Sequence, residues 1–288
     1  MRVRPSPSAL FVVAAMALAA GVGVAAKSAA GSEDKTSWRS AGLPRDIGEL
    51  GFVAPPSSAT STSAASSRAD VNGVALLDAT RPFRIELAHG PIRGVPADAA
   101  RLAAARALVV RELGRYPSTF LAAIHLRGVV FADDLREGET AIPSLPNVAG
   151  LLLLDVAGSE SDLVRGLHHE VFHFADLADD GSLAPDPAWE SLNAPSFAYG
   201  AGGRTLRSAW AGRAPDDDGF LAGGFVSPYA TSGPEEDKAE TFAFAVARPS
   251  VVRDRAAHDA ILRSKLHEIA RRIGTLDPET PRMIGLDY

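Results

Sequence analysis

Residues 166–176, GLHHEVFHFAD, gather three of the chain's seven histidines around one glutamate. His169 and His173 stand four apart. On a helix their Cβ atoms would lie about 5–6 Å apart on one face, where two imidazoles can converge on a single divalent ion. Glu170 borders that face, placed to take a proton from a water activated by such an ion without being a ligand itself. His168 has Phe172 four residues on and cannot share the task; it reads as a spectator or as a residue supporting the site from behind, a solvated or core-edge histidine being the favoured case. The H-E-x-x-H spacing alone is weak evidence. With 7 histidines and 14 glutamates in 288 residues, chance produces it in roughly one chain of a hundred, so context has to carry the weight. Residues 266–271, LHEIAR, begin the same way but put Arg271 where the second histidine should stand.

A catalytic zinc takes three protein ligands and leaves a position for water, whereas a structural zinc is closed by four. The chain has no cysteine, so a third ligand must be His, Asp or Glu. Just downstream, Asp176 stands where a glycine would be needed to turn Asp179 back towards the metal. Asp179 is therefore a weak candidate, and Asp176 reads better as an acceptor supporting the site one turn beyond His173. The stronger candidates lie in residues 227–245, SPYATSGPEEDKAETFAFA. Ser232 and Glu235 have capping-box spacing and Pro234 suits a first helical turn, so a helix starts there. Glu236 and Glu240 share one face of it, and Ala239, Ala243 and Ala247 keep its flanks narrow enough for another helix to approach. Acids in a first turn are favoured by the helix dipole alone. Glu240, however, lies a turn further in, beside like charges, where a nearby cation would stabilise it. His89, His125, His258 and His267 are each isolated in sequence.

HExxH followed by a tyrosine and an E-x-x-x-E helix resembles the gluzincin metallopeptidases, specifically the branch that includes the catalytic domain of anthrax lethal factor and related bacterial zinc peptidases. Tyr229, Glu236, Ala239, Glu240 and Phe242 fit that branch in order and spacing, and the resemblance covers about residues 147–273. It implies an α+β, zincin-like metallopeptidase domain with a small mixed sheet, an HExxH helix and C-terminal helices. It also implies one Zn²⁺ held by His169, His173 and Glu236, with Glu170 as general base, Tyr229 as oxyanion donor and Glu240 supporting a ligand from behind. Glu235 competes with Glu236 for the ligand role; the seven residues from Tyr229 favour Glu236. Val171-Phe172 departs from the Phe-Gly pair common in the branch, which alters the pocket beside the metal. The implied activity is hydrolysis of a peptide or protein substrate, with no other cofactor and no obligate protein partner. Two alternatives compete: a secreted binding module with a structural zinc or none, and an inactive relative that holds peptides uncut. The lack of a strong fourth ligand weighs against the first, and the intact Glu170 against the second.

Several elements must position these side chains. Ser159-x-x-Asp162 and Asp179-Asp180-Gly181 suit the start and stop of the HExxH helix. Leu163, Val164, Leu167, Val171, Phe174 and Ala178 form its buried side, opposite a stripe containing His169, His173 and Asp176. Upstream, VNGVALLD, FRIELA, LAAIHLRGVVFA and VAGLLLLDV predict strands, and residues 98–113 a helix. VAGLLLLDV is either a buried central strand or one on which an extended substrate lies. Helices over 234–247 and 255–273 close the chain. Between the HExxH helix and these two, residues 181–233 are loop-rich, with Trp189, Phe197, Tyr199, Trp210, Phe220 and Phe225 as packing anchors or pocket lining.

The N-terminus predicts export. Arg2 and Arg4 precede an uncharged run from Ala9 to Ala26 that ends in a plausible cleavage site. Residues 1–26 thus read as a signal peptide, giving a secreted or extracytoplasmic protein that meets a membrane only if this segment stays as an anchor. Residues 27–70, rich in Ser, Ala, Thr and Pro, read as a disordered linker, and 71–288 as the domain. That domain carries 22 basic and 30 acidic residues, with no basic cluster, which argues against nucleic acid.

Overall fold

The computed structural model describes residues 51–53, 70–87, 90–203, 205 and 223–286. The signal segment, most of the linker, His89, Trp210 and Phe220 lie outside the described residues. In chain order the elements are β1 (Phe52–Val53), β2 (Asp70–Val71), β3 (Val74–Ala79), β4 (Phe83–Leu87), β5 (Gly90–Val95), α1 (Ala99–Leu113), α2 (Ser118–Ala123), β6 (Gly128–Glu137), β7 (Thr140–Ala141), β8 (Ser144–Val148), β9 (Leu151–Asp155), α3 (Glu160–Asp180), α4 (Pro187–Glu190), a 3-10 turn (Tyr229–Thr231), α5 (Pro234–Ala247), α6 (Pro249–His258), α7 (Ala260–Leu276) and α8 (Thr280–Met283). Sheet first, site helices after: the architecture is α+β with one small mixed sheet.

The ten-residue strand β6 is its spine. The first half of β6 lies between β3 and β9, both parallel to it; the second half pairs antiparallel with β5 and β7. Side chains alternate across a strand, and the buried leucines of β9 show the result. Leu152 and Leu154 join the main core with the helices, while Leu151 and Leu153 join a second cluster with Phe83, Ile85 and Ile92.

VAGLLLLDV is not one strand. Ala149 (φ 55) and Gly150 (φ 83) are both left-handed, the requirement of a two-residue hairpin turn, and they join β8 to β9. Since β6 and β8 take both edges of β9, no substrate can pair with it. Among the described residues β8 pairs only with β9 and forms the sheet edge. A similar Asn72-Gly73 turn splits VNGVALLD into β2 and β3. The first residues of LAAIHLRGVVFA are helical rather than extended, because Pro117 starts a turn whose Phe120 and Leu121 reach the core. The predicted helix over 255–273 is two helices: Asp259 ends α6 and caps α7 by accepting from the amides of Ile261 and Leu262. Within the stretch read as linker, Phe52 is buried against Phe83 and pairs with Ala79; one aromatic among many small polar residues suffices for a short strand.

Helix α3 starts and stops as its end residues dictate, with a Ser159/Asp162 capping box and a left-handed Gly181. It is not half-exposed. Every residue from Leu167 to Asp176 is buried, because α1, α5, α7, β8 and β9 all pack against it. Its polar stripe therefore faces protein, and each member must find a partner there.

Candidate metal centre

Helices α3 and α5 pack side by side and bring the two candidate halves together. His169 Nε2 lies 3.0 Å from both Glu236 Oε2 and His173 Nε2, and His173 Nε2 is 3.5 Å from the same carboxylate oxygen. All three residues are buried, and among the described residues they form the one such group of potential metal ligands. A tetrahedral ion with arms of about 2.0–2.1 Å holds its ligand atoms about 3.3 Å apart, so this donor triangle fits one zinc. Glu235 does not join it: its carboxylate lies over Gly233, at the start of its own helix, where burial and the neighbouring Glu236 raise its pKa.

Burial alone would depress the His169 imidazole, but hydrogen bonds to Glu236 and Glu240 carry its pKa up to about 10. Burial would likewise raise Glu236, yet the two histidines hold it well below the ordinary carboxylate range. An imidazolium between two carboxylates is a stand-in for a cation at the same place.

Glu240 accepts from His169 Nδ1 at 2.9 Å, which leaves Nε2 as the ring's metal-facing atom. It is itself held by Ser227 Oγ at 2.6 Å and Arg165 Nη1 at 3.3 Å. Tyr229, in the 3-10 turn, donates its hydroxyl to Glu236 Oε1 at 2.9 Å. Ser232 does not cap α5. Its hydroxyl turns back to the Tyr229 carbonyl, and Gly233 is the N-cap residue with no side-chain bond.

Asp176 is buried and close to His173 in sequence, but its hydrogen bonds run to Lys238 Nζ (2.8 Å) and Arg272 Nη1 (3.4 Å); burial, offset by Lys238, lifts its pKa to about 6. His173 Nδ1 is buried with no hydrogen-bond partner among the described residues. Asp176 thus ties α3 to α5 and α7 instead of accepting from His173. His168 is fully buried, not at an edge: Tyr116 Oη sits 2.7 Å from Nδ1 and Glu112 Oε2 3.3 Å from Nε2. Burial lowers its pKa, so the neutral ring accepts from the phenol and donates to the carboxylate.

The next turn of α5 is held equally firmly. Lys238 reaches Asp186 at 2.9 Å, and Asp237 accepts from Trp189 Nε1 (2.9 Å), Tyr199 Oη (2.5 Å) and Lys265 Nζ (2.7 Å). Trp189 and Tyr199 are thus anchors, as are Phe197 and Phe225, whose rings pack at 4.5 Å. Two further residues have no signal in sequence. Ser144, on β8, donates to Glu170 Oε1 at 2.6 Å. Gly203 lies so close to the centre that an added Cβ would stand 1.9 Å from Glu236 Oε1 and 2.4 Å from Tyr229 Oη.

No family model matches the chain, and no curated protein matches it. Among solved structures it is similar to the crystal structure of a "putative zinc-binding metallo-peptidase" from Bacteroides caccae, with 16% identity and a TM-score of 0.46 over 74% of this chain and 85% of that one. The chemistry assigned to this chain rests on its own side chains.

Proposed function

We propose that the chain is a secreted zinc-dependent metallopeptidase of the gluzincin type, with His169, His173 and Glu236 as the metal ligands. The observation that carries this reading is the buried triangle of two imidazole nitrogens and one carboxylate oxygen, 3.0–3.5 Å on a side, with Glu170 on the same helix. Three ligands suit an open site, whereas a structural zinc asks for four.

Zinc, when bound, would polarise a water and bring its pKa towards about 7. Glu170 takes the proton as that water attacks the peptide carbonyl and hands it to the leaving amine. Tyr229 turns its hydroxyl from Glu236 to the oxyanion that develops. Glu240 keeps His169 in the tautomer that points Nε2 inwards. Beside the site, β8 offers the sheet edge along which an extended peptide fits. The order and spacing of Tyr229, Glu236 and Glu240 support the lethal factor branch, and the run from Ala9 to Ala26 supports export.

Metal analysis combined with a peptide-library digest tests this. Wild type and Glu170→Gln should each hold one zinc per chain, and only the wild type should cut. Unchanged cleavage by the variant would remove the general base; zinc without cleavage in either would leave a binding module.

A further inference from the structure

We infer that Ser144 is the positioning residue of the general base, a role that rests on the peptidase reading above. Ser144 opens the edge strand β8, opposite Leu154 of β9, and is 2% exposed. Its hydroxyl donates to Glu170 Oε1 at 2.6 Å, a short bond of the charge-assisted kind. The other oxygen, Oε2, is buried and has no hydrogen-bond partner among the described residues. The two oxygens are thereby made unequal: one is held by the sheet, and the other is the free acceptor.

That asymmetry matters because the last torsion of a glutamate is soft, with broad, roughly two-fold preferences. Without a hold on Oε1 the carboxylate would rotate, and a misplacement of about 1 Å can cost up to 10²-fold in rate. The bond also joins the sheet edge to the helix carrying both histidines. Gly166, one turn before Glu170, faces the hydroxyl: a Cβ there would lie 3.7 Å from Ser144 Oγ. The glycine sets no side chain against the hydroxyl, and valine and threonine at position 144 form a matched pair of variants.

The test compares Ser144→Ala, Ser144→Val and Ser144→Thr in the zinc-loaded full chain. Val and Thr have nearly the same shape and differ in the hydroxyl. Two readouts are used besides zinc affinity by chelator competition. One is binding of acetohydroxamate, which sheds its hydroxyl proton on chelating a metal and needs a neighbouring carboxylate to accept it. The other is kcat and KM on a peptide the wild type cuts. Ala and Val should bind acetohydroxamate about tenfold more weakly and lose about tenfold in kcat, with KM and zinc affinity within about twofold of wild type; Thr should restore both. Wild-type behaviour in all three variants overturns the inference, as does a loss in Ala and Val shared equally by zinc affinity and thermal stability. If the wild type binds zinc and acetohydroxamate but cuts nothing, the peptidase reading falls, and the acetohydroxamate comparison still decides whether Ser144 holds Glu170.

Discussion

Replacing Gly203 with alanine should damage metal binding from a position that contributes no ligand. The native φ at 203 is not left-handed, so alanine suffers no backbone penalty and the effect must come from its methyl group. That methyl would stand 1.9 Å from Glu236 Oε1, where real contacts stay beyond 3.0 Å; something must therefore move by at least about 1 Å. Metal sites tolerate about 0.2 Å in their ligand distances. If the carboxylate gives way, the third ligand is lost, and zinc affinity should fall by at least about 100-fold, the upper end of what losing a mere supporting residue costs. If the backbone gives way instead, the segment must release the Gly200 amide from the Thr231 carbonyl and the Gly202 amide from the Ser232 carbonyl. Two such bonds are worth about 2 kcal/mol, which would lower the melting temperature by about 4–8 °C. Competition for zinc against a chromophoric chelator, with melting curves of the metal-free protein, separates the two routes. Zinc affinity within about threefold of wild type together with an unchanged melting temperature would refute the argument.

Glu240→Gln should weaken zinc binding about tenfold by chelator competition. This is the low end for such a change, because neutralising Glu240 also eases the proton off His169. Lys238→Met leaves Asp176 and Asp186 short of their buried cation and should cost about 3 kcal/mol, the low end for a broken buried pair, since Arg272 still reaches both; urea unfolding followed by circular dichroism reads it. Hydrogen bonds from His168, Arg111 and Arg115 hold Glu112 at a pKa of about 2, and Arg272, the Trp189 amide and Lys238 overcome burial to bring Asp186 to about 2. Both sit below their ordinary values of 4.5 and 3.8, so their contribution is full above about pH 4.5 and is lost as pH falls towards 2; acid titrations should be shallower in Glu112→Gln and Asp186→Asn.

Local patterns were legible where a few neighbouring residues decide the outcome. The Ser159/Asp162 box and Gly181 bound α3, Pro234 starts α5, and the four-residue spacings put His169 with His173 and Glu236 with Glu240. Short apolar runs misled, because LAAI serves a strand or a helix equally well and only the core it reaches decides between them. The hairpin inside VAGLLLLDV was hidden because Ala149 adopts a left-handed conformation unusual for alanine. Partners distant in the chain were illegible altogether. Nothing near Asp176 announces that Lys238, 62 residues on, will claim it in place of His173, and nothing near Ser144 names Glu170.

The run Glu235-Glu236-Asp237-Lys238 has the look of a water-facing ornament on the protein's outside, the sort of tract a solubility redesign would shuffle freely. Successive residues of a helix point about 100° apart, and here each quarter of that compass is already claimed. A deletion of a single residue ahead of the tract would hand every side chain its neighbour's appointment, so natural variation in this stretch should come as conservative exchange, not as a change of length.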